Sequence, residues 1–407
     1  MTKPLRLIFC GTPHFAVPTL NALRTAGYEI ALVVTQPDRP VGRARQLTAP
    51  PVKLAALAAG LPIAQPEAIR NNPDFRAHLE ALAPDAIVVV AYGRLIPPWM
   101  LALPRLGCIN LHASLLPRYR GAAPIQWAVA MGETITGNTT MLLEEGLDTG
   151  PILLQQALVI FPHQTAADLL DVLAVGGAPL VVKTLAGLES GTIEPRPQNH
   201  AGASFAPLLT RDDGRMDFAA RTATELKNRW RGFQPWPGAF TALDGKKLIV
   251  HRMEVVDAAS LATPVSPSAE NPLSVKGTGF SPYMNSAEKP RALAPEGGVE
   301  TKESVETKVG VKTEGGGGFN PRIMPTESER ALAPEGCLSE TSSVSDPAST
   351  PPGQIRIEGH RLLVACAGNT WLELVEVQLE GKKRLAAAEF LRGIALPANA
   401  LLGASTQ

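Results

Sequence analysis

Cysteine is scarce in this chain of 407 residues: Cys10, Cys108, Cys337 and Cys366 lie far apart, and no pair has C-x-x-C spacing. Neither a disulfide framework nor a zinc site is indicated, and a reduced, cytoplasmic compartment is expected. An excess of one charge is missing too. Lys+Arg and Asp+Glu each number 38, so net charge argues neither for nor against a nucleic-acid partner, and local charge must decide. No apolar stretch approaches the ~20 residues of a membrane-crossing helix. The apolar run before Gly11, residues 5–10, is too short for a signal-peptide core. The first strand-to-helix turn, Gly11-Thr12-Pro13, has one glycine where G-x-G-x-x-G would need three. A nicotinamide or flavin cofactor is therefore rejected.

What is present begins with alternation of strand and helix. Residues 5–10 and 29–35 read as buried strands on either side of a helix at 15–26, the start of a doubly wound α/β sheet. Residues 86–91 (AIVVVA) form a continuous apolar run, as expected for a parallel strand covered on both faces. Further strands are expected at 107–112, 136–143 and 152–160, with helices at 124–131 and 165–188. The first domain is placed at 1–208. From 209 onward a helix at 222–231 leads into the Pro235-Trp236-Pro237 turn and then short alternating strands, which suggest a small β-barrel. Phe233 and Trp236 are assigned to core at the domain junction. The second domain is placed at 209–407.

An insertion at about 258–353 interrupts the second domain. It holds 8 Lys+Arg and 12 Asp+Glu, and its only aromatics are Phe280, Tyr283 and Phe319. Residues 277–297 realign on 316–336 without gaps, with 12 of 21 positions identical. Two polar copies are too few for a solenoid core, so a duplicated, disordered insertion is expected.

The chain is organised around residues 107–150. In Cys108-Ile109-Asn110-Leu111-His112, strand geometry sends Asn110 and His112 to one face and Ile109 and Leu111 to the other, toward a core. Pro117, in Ser114-Leu115-Leu116-Pro117, stops the strand. Downstream, Gly146-Leu147-Asp148-Thr149-Gly150 lets the backbone turn tightly around one carboxylate. An amide, an imidazole and a carboxylate suit attack of an amine on a formyl or other acyl carbon. Asn110 and a protonated His112 could stabilise the oxyanion, and Asp148 could hold the imidazolium and take a proton. Three plainer readings stay open. The Asn and His could cap a strand end; His112 and Asp148 could be metal ligands, though no second His is near; and the arginines of 36–53 could be a solvated surface. That proline-rich loop sets Arg39, Arg43, Arg45 and Lys53 against Asp38 and suits phosphate contacts.

These segments resemble the folate-dependent formyltransferase family. Asn110-x-His112 followed by Ser-Leu-Leu-Pro-x-Tyr-Arg-Gly, and Gly-Leu-Asp-Thr-Gly downstream, carry the resemblance. FCGTPHFAVPTL (9–20), TQPDRPVGR (35–43), VVVAYGRLIP (88–97) and RYRGAAPIQWA (118–128) extend it to residues 5–257 and 354–402, leaving out the insertion. The resemblance implies a Rossmann-like, mostly parallel sheet followed by an OB-like β-barrel. It also implies transfer of a formyl group from 10-formyltetrahydrofolate to the amino group of methionine on initiator tRNA. By the same resemblance, Asn110, His112 and Asp148 are catalytic. Ser114, Leu115, Leu116 and Pro117, with Val90 and Tyr92, line the folate site, and Arg39, Arg43 and Arg45 approach the tRNA. No metal, no membrane and a monomer are expected. Two alternatives are a formyltransferase acting on a sugar-nucleotide or purine-precursor amine, and a non-catalytic RNA-binding protein of the same fold. Asn138 departs from the family pattern by placing a polar residue at a strand position, which is expected to loosen packing.

Overall fold

The computed structural model describes residues 3–41, 45–257, 350–397 and 400–403. Arg43, Cys337 and both copies of the repeat lie outside the described residues, and so does nearly all of the expected insertion. The strands in chain order are β1 (Arg6–Gly11), β2 (Glu29–Val34), β3 (Arg39–Val41), β4 (Gln46–Thr48), β5 (Ile63–Ala64), β6 (Ala86–Val90), β7 (Cys108–His112), β8 (Ile135–Leu142) and β9 (Ile152–Val159). Then come β10 (Phe240–Leu243), β11 (Lys246–Val256), β12 (Ile355–Glu358), β13 (Arg361–Cys366), β14 (Thr370–Leu379) and β15 (Arg384–Ala386). The α-helices are α1 (Val17–Thr25), α2 (Pro51–Ala58), α3 (Pro73–Leu82), α4 (Pro98–Leu101), α5 (Pro124–Ala130), α6 (Ala166–Glu189), α7 (Ala223–Gly232) and α8 (Ala387–Gly393).

Seven strands form the first sheet, in the order β5-β2-β1-β6-β7-β8-β9. The first five run parallel, and β8 and β9 add an antiparallel hairpin. The chain winds outward from β1 through β2 to β5, then returns to the other side of β1 as β6. Neighbouring carboxyl ends therefore diverge between β1 and β6, the place where such sheets leave a crevice. One apolar core lies on each face. Ile109 and Leu111 enter the face that holds Leu7, Phe9 and Val88, whereas Cys108 enters the face that holds Ile8, Cys10 and Tyr92.

Helix α6 starts in a capping box: the Thr165 hydroxyl accepts from the Asp168 N–H, and the Asp168 carboxylate accepts from the Thr165 N–H at 2.8 Å. Its 24 residues are apolar enough, by length and composition, to cross a membrane, contrary to the expectation that no stretch would be. Packing explains its composition: Leu169, Leu173, Val181 and Leu185 complete the core with Ile109 and Leu111. Close approach needs Gly177, where a Cβ would come within 2.6 Å of Leu111. The same helix corrects the expectation for Asn138, which is buried. Its amide N–H donates to the Leu173 carbonyl at 2.9 Å and ties β8 to α6, while its Oδ1 is buried without a partner among the described residues.

The stretch 36–53 is more ordered than a loop. β3 and β4 pair as a short antiparallel hairpin, with Arg39 opposite Thr48, and α2 begins at Pro51. Sequence patterning missed these strands because each has only three residues, and those of β4 are all exposed. Lys53 belongs to neither strand and is bonded to Asp38 at 2.7 Å. Gln65 also donates to Asp38, and these two partners hold that carboxyl below its usual range.

Beyond residue 209, six strands make one antiparallel sheet, β10-β11-β14-β13-β12 with β15 on β14, around a core that includes Leu248, Val364, Leu374 and Phe390. Phe233 is buried against Trp127, edge to face at 5.4 Å, as expected for junction core. Trp236 is not core but 54% exposed. The Gly238 N–H donates back to the Phe233 carbonyl, closing a tight turn that leaves Trp236 at its tip.

Candidate active site

β7 brings the amide and the imidazole to the carboxyl end of the sheet. Asn110 lies between Val89 of β6 and Met141 of β8, and His112 lies opposite Thr139. The Asn110 side chain is partly exposed and makes no hydrogen bond among the described residues. Its donors and acceptor are thus free for a ligand.

His112 is 6% exposed, and its Nε2 lies 2.9 Å from the Tyr119 carbonyl oxygen. A carbonyl only accepts, so Nε2 carries a proton. The other ring nitrogen, Nδ1, faces Asp148 Oδ2 at 3.7 Å. That distance is longer than a direct hydrogen bond. In the neutral ring the Nδ1 lone pair would point at a carboxylate. A proton on Nδ1 turns that repulsion into attraction.

Asp148 occupies the left-handed region at φ 50°, which an L residue adopts only when its surroundings hold it there. Its Oδ2 accepts from the Gly121 N–H at 2.8 Å. Its own carbonyl and that of Gly150 accept from Gln198 Nε2 at 2.9 and 2.7 Å. Gly150 allows no side chain, because a Cβ would meet the Leu142 carbonyl at 1.9 Å. Tyr119, also in the left-handed region (φ 60°), receives support from both ends. Its N–H donates to Ser204 Oγ, and its hydroxyl donates to Glu133 at 2.6 Å. Burial, then the Glu133 contact, pushes the Tyr119 hydroxyl well above its ordinary range.

The structure therefore brings Asn110, His112 and Asp148 together at one strand end. It gives the expected folate-lining residues unequal roles. Ser114 is fully buried with its hydroxyl donating to the Arg118 carbonyl, and Leu116 packs on Met141 and Ile152. Leu115 and Pro117 are partly exposed. The side chains of Val90 and Tyr92 are buried in the two cores, so neither can line a ligand site with its side chain. The Tyr92 ring has no hydrogen-bond partner for its hydroxyl, and burial pushes that group up to about 12. Its backbone does reach a cavity of about 570 Å³ at the β1/β6 crevice, lined also by Thr12, Gln36, Arg39, Thr48 and Arg94. Arg39 and Arg45 are exposed on the hairpin, and Arg43 lies outside the described residues.

Sequence reasoning missed the groups that aim the site. The Tyr119 carbonyl and the Gly121 N–H are backbone atoms and leave no side-chain signature, although both residues stand in the quoted Arg-Tyr-Arg-Gly segment. Gln198 lies in an irregular stretch 50 residues beyond Asp148 and carried no signal. Among the described residues, no cluster of three or more His, Cys, Asp or Glu side chains could hold a metal ion.

Residues 5–185 match the formyl transferase family model, and residues 208–278 and 335–395 match the model of the formyl transferase C-terminal domain. A methionyl-tRNA formyltransferase of Acidobacterium capsulatum is 50% identical over 400 residues, covering 98% of this chain and 100% of that protein. One of Koribacter versatilis is 45% identical over 387 residues, covering 95% of each. The C-terminal model skips residues 279–334, which fall within the expected insertion at 258–353. Among solved structures, the sugar 3N-formyl transferase WlaRD, in the presence of dTDP and 5-N-formyl-THF, shares the fold. Its TM-score is 0.51 at 12% identity, covering 94% of this chain and 100% of that one. The chain thus belongs to the methionyl-tRNA formyltransferase family of formyl transferases.

Proposed function

We propose that this formyl-transferring enzyme moves the formyl group of 10-formyltetrahydrofolate to the free amino group of methionyl initiator tRNA, with Asn110, His112 and Asp148 as its catalytic residues. One observation carries the assignment of residues. An unbonded amide, an imidazole whose Nε2 proton is held by a carbonyl, and a carboxylate 3.7 Å from its other ring nitrogen converge where the parallel strands end. The likeness to methionyl-tRNA formyltransferases over nearly the whole chain supports the choice of substrates.

The amine nitrogen attacks the formyl carbon, and the carbonyl oxygen becomes an oxyanion. The Asn110 amide and the Nδ1 proton of His112 stabilise that oxyanion. Nε2 cannot take this role because the Tyr119 carbonyl occupies it. The new C–N bond persists while the bond from the formyl carbon to N10 of the folate breaks. The proton that leaves the amine passes to Asp148, directly or through a water, and is returned to N10 as the folate departs, so the proton count balances. Transfer is direct, with no Ser or Cys nucleophile.

The donor folate lies along Ser114–Pro117, where Leu115 and Pro117 face outward, and beside the backbone of residues 90–92. The aminoacyl end enters by the crevice cavity, one strand from Asn110, and Arg39, Arg43 and Arg45 meet backbone phosphates. Residues 1–208 form the catalytic domain, and residues 209–407 form a domain that helps to hold the tRNA. The enzyme acts as a monomer in the cytoplasm.

The test is a formylation assay with charged initiator tRNA and 10-formyltetrahydrofolate, run alongside tRNA binding. Wild type should yield N-formylmethionyl-tRNA. Asn110→Ala and His112→Ala should each lower the transfer rate by about 10²–10³-fold, as for removal of one oxyanion donor, with tRNA affinity within about twofold. No product from wild type, or near-normal rates in both variants, would overturn the proposal.

A further inference from the structure

The groups that grip His112 and Asp148 come from three consecutive residues. The Tyr119 carbonyl takes the His112 Nε2 proton, the Gly121 N–H holds Asp148 Oδ2, and the Arg120 side chain between them holds Gln198. Gln198 then returns to the Asp148 turn. Its Nε2 donates to the Asp148 and Gly150 carbonyls at 2.9 and 2.7 Å. Its Oε1 accepts from Arg120 Nε and Nη2 at 3.1 and 2.6 Å. Because a guanidinium only donates and carbonyls only accept, the amide has one permitted orientation, with both protons and both lone pairs engaged.

Both partners are buried, Gln198 at 6% and Arg120 at 4% exposed. Among the described residues, the Arg120 guanidinium meets the neutral Gln198 and the His200 ring nitrogen at 3.2 Å, and no carboxylate. A buried cation without an acid partner is costly, so a neutral amide bridging it to two loop carbonyls calls for a functional reason. The strand-like pairing of residue 120 fixes the other end: Arg120 N–H donates to the Ser204 carbonyl, and Ala206 N–H donates to the Arg120 carbonyl.

We propose that Gln198 is a positioning residue: through Arg120 it registers the Asp148 turn to the segment that orients His112. This rests on the catalytic reading of Asp148. Gln198 touches neither His112 nor the Asp148 carboxylate. It acts by holding the left-handed backbone of Asp148, so that Oδ2 stays against Gly121 and across from Nδ1.

Two substitutions separate positioning from simple stability. Gln198→Glu keeps the shape and supplies Arg120 with a counter-charge, but it sets acceptor oxygens against two carbonyls. Gln198→Ala removes all four bonds. The Glu variant is expected to unfold no earlier than the Ala variant, yet both should lose about 10–100-fold in kcat, as for a catalytic group displaced by about 1 Å. KM for folate and for charged tRNA should stay within about twofold. In both variants the ring-nitrogen NMR signals of His112 should move, whatever substrate the enzyme uses. Wild-type kcat in Gln198→Glu, a loss confined to KM, or unmoved His112 signals would overturn the inference. If wild type itself fails to formylate charged tRNA while the His112 signals still move, the functional reading fails and the positioning role stands.

Discussion

Replacing Asp148 with Asn removes a charge and keeps the shape, so its consequence can be worked from the geometry. The Asn side-chain oxygen can still accept from the Gly121 N–H, and Gln198 still holds the turn. What disappears is a negative charge 3.7 Å from His112 Nδ1. At an effective dielectric of about 20, a unit pair at that distance interacts by about 4.5 kcal/mol. The Asp148 side chain is 13% exposed, so some of this is screened by water. If half of it acts in the transition state, about 2 kcal/mol or roughly 40-fold is lost, and loss of the proton acceptor adds a further factor. A fall of about 10²–10³-fold in the transfer step is therefore expected. Rapid-quench single-turnover formylation, with enzyme in excess over charged tRNA and saturating donor, isolates that step. A folded Asp148→Asn enzyme within about fivefold of wild type would refute the role of the carboxylate.

Tyr92→Phe removes a buried hydroxyl that has no partner, so thermal unfolding should show a neutral or stabilising change of up to about 1 kcal/mol, and the KM for folate should hold. A large rise in that KM would restore the side chain to the ligand site. Asp168→Asn breaks the α6 capping box and should cost about 1 kcal/mol at neutral pH. Thr165 hydrogen bonds hold the Asp168 carboxyl below its ordinary value, so the stabilisation is present above that value and is lost as pH falls through the lowered one. In urea titrations the two proteins should therefore converge in acid, below the ordinary carboxylate range; a difference that persists or grows in acid contradicts the assignment. Val256, Trp371, Ala365 and Gln354 face one another across β11, β14, β13 and β12, which separates the two described ends flanking residues 258–349 by about three strand spacings, or about 14 Å. A linker of about eight Gly and Ser residues spans that gap, so replacing residues 260–349 should preserve folding and formylation. Loss of cooperative unfolding would show that the removed segment is structural.

Much of the fold was legible because buried strands write their periodicity into the sequence. The two-residue alternation in β7 put Ile109 and Leu111 in the core and paired Asn110 with His112 on the other face. The glycines around Asp148 marked a turn that only such residues permit at Gly150. Patterning failed where backbone atoms or distant contacts decide the outcome. Asn138 looked out of place until α6 supplied the Leu173 carbonyl, and α6 looked free of any membrane-length character until its apolar length was measured as a helix. The β3–β4 hairpin hid among prolines and charges because its strands have three residues each and β4 buries none of them. The buried Arg120–Gln198 pair joins residues 78 apart, and nothing local announces it.

The most direct test is a competition for the formyl group. Wild-type enzyme is given radiolabelled 10-formyltetrahydrofolate with equal concentrations of methionyl initiator tRNA and an amino-sugar nucleotide, and the labelled products are separated. Label is expected on the methionine released from tRNA, and its yield should collapse with His112→Ala. Label on the sugar amine, with none on methionine, would contradict the assignment.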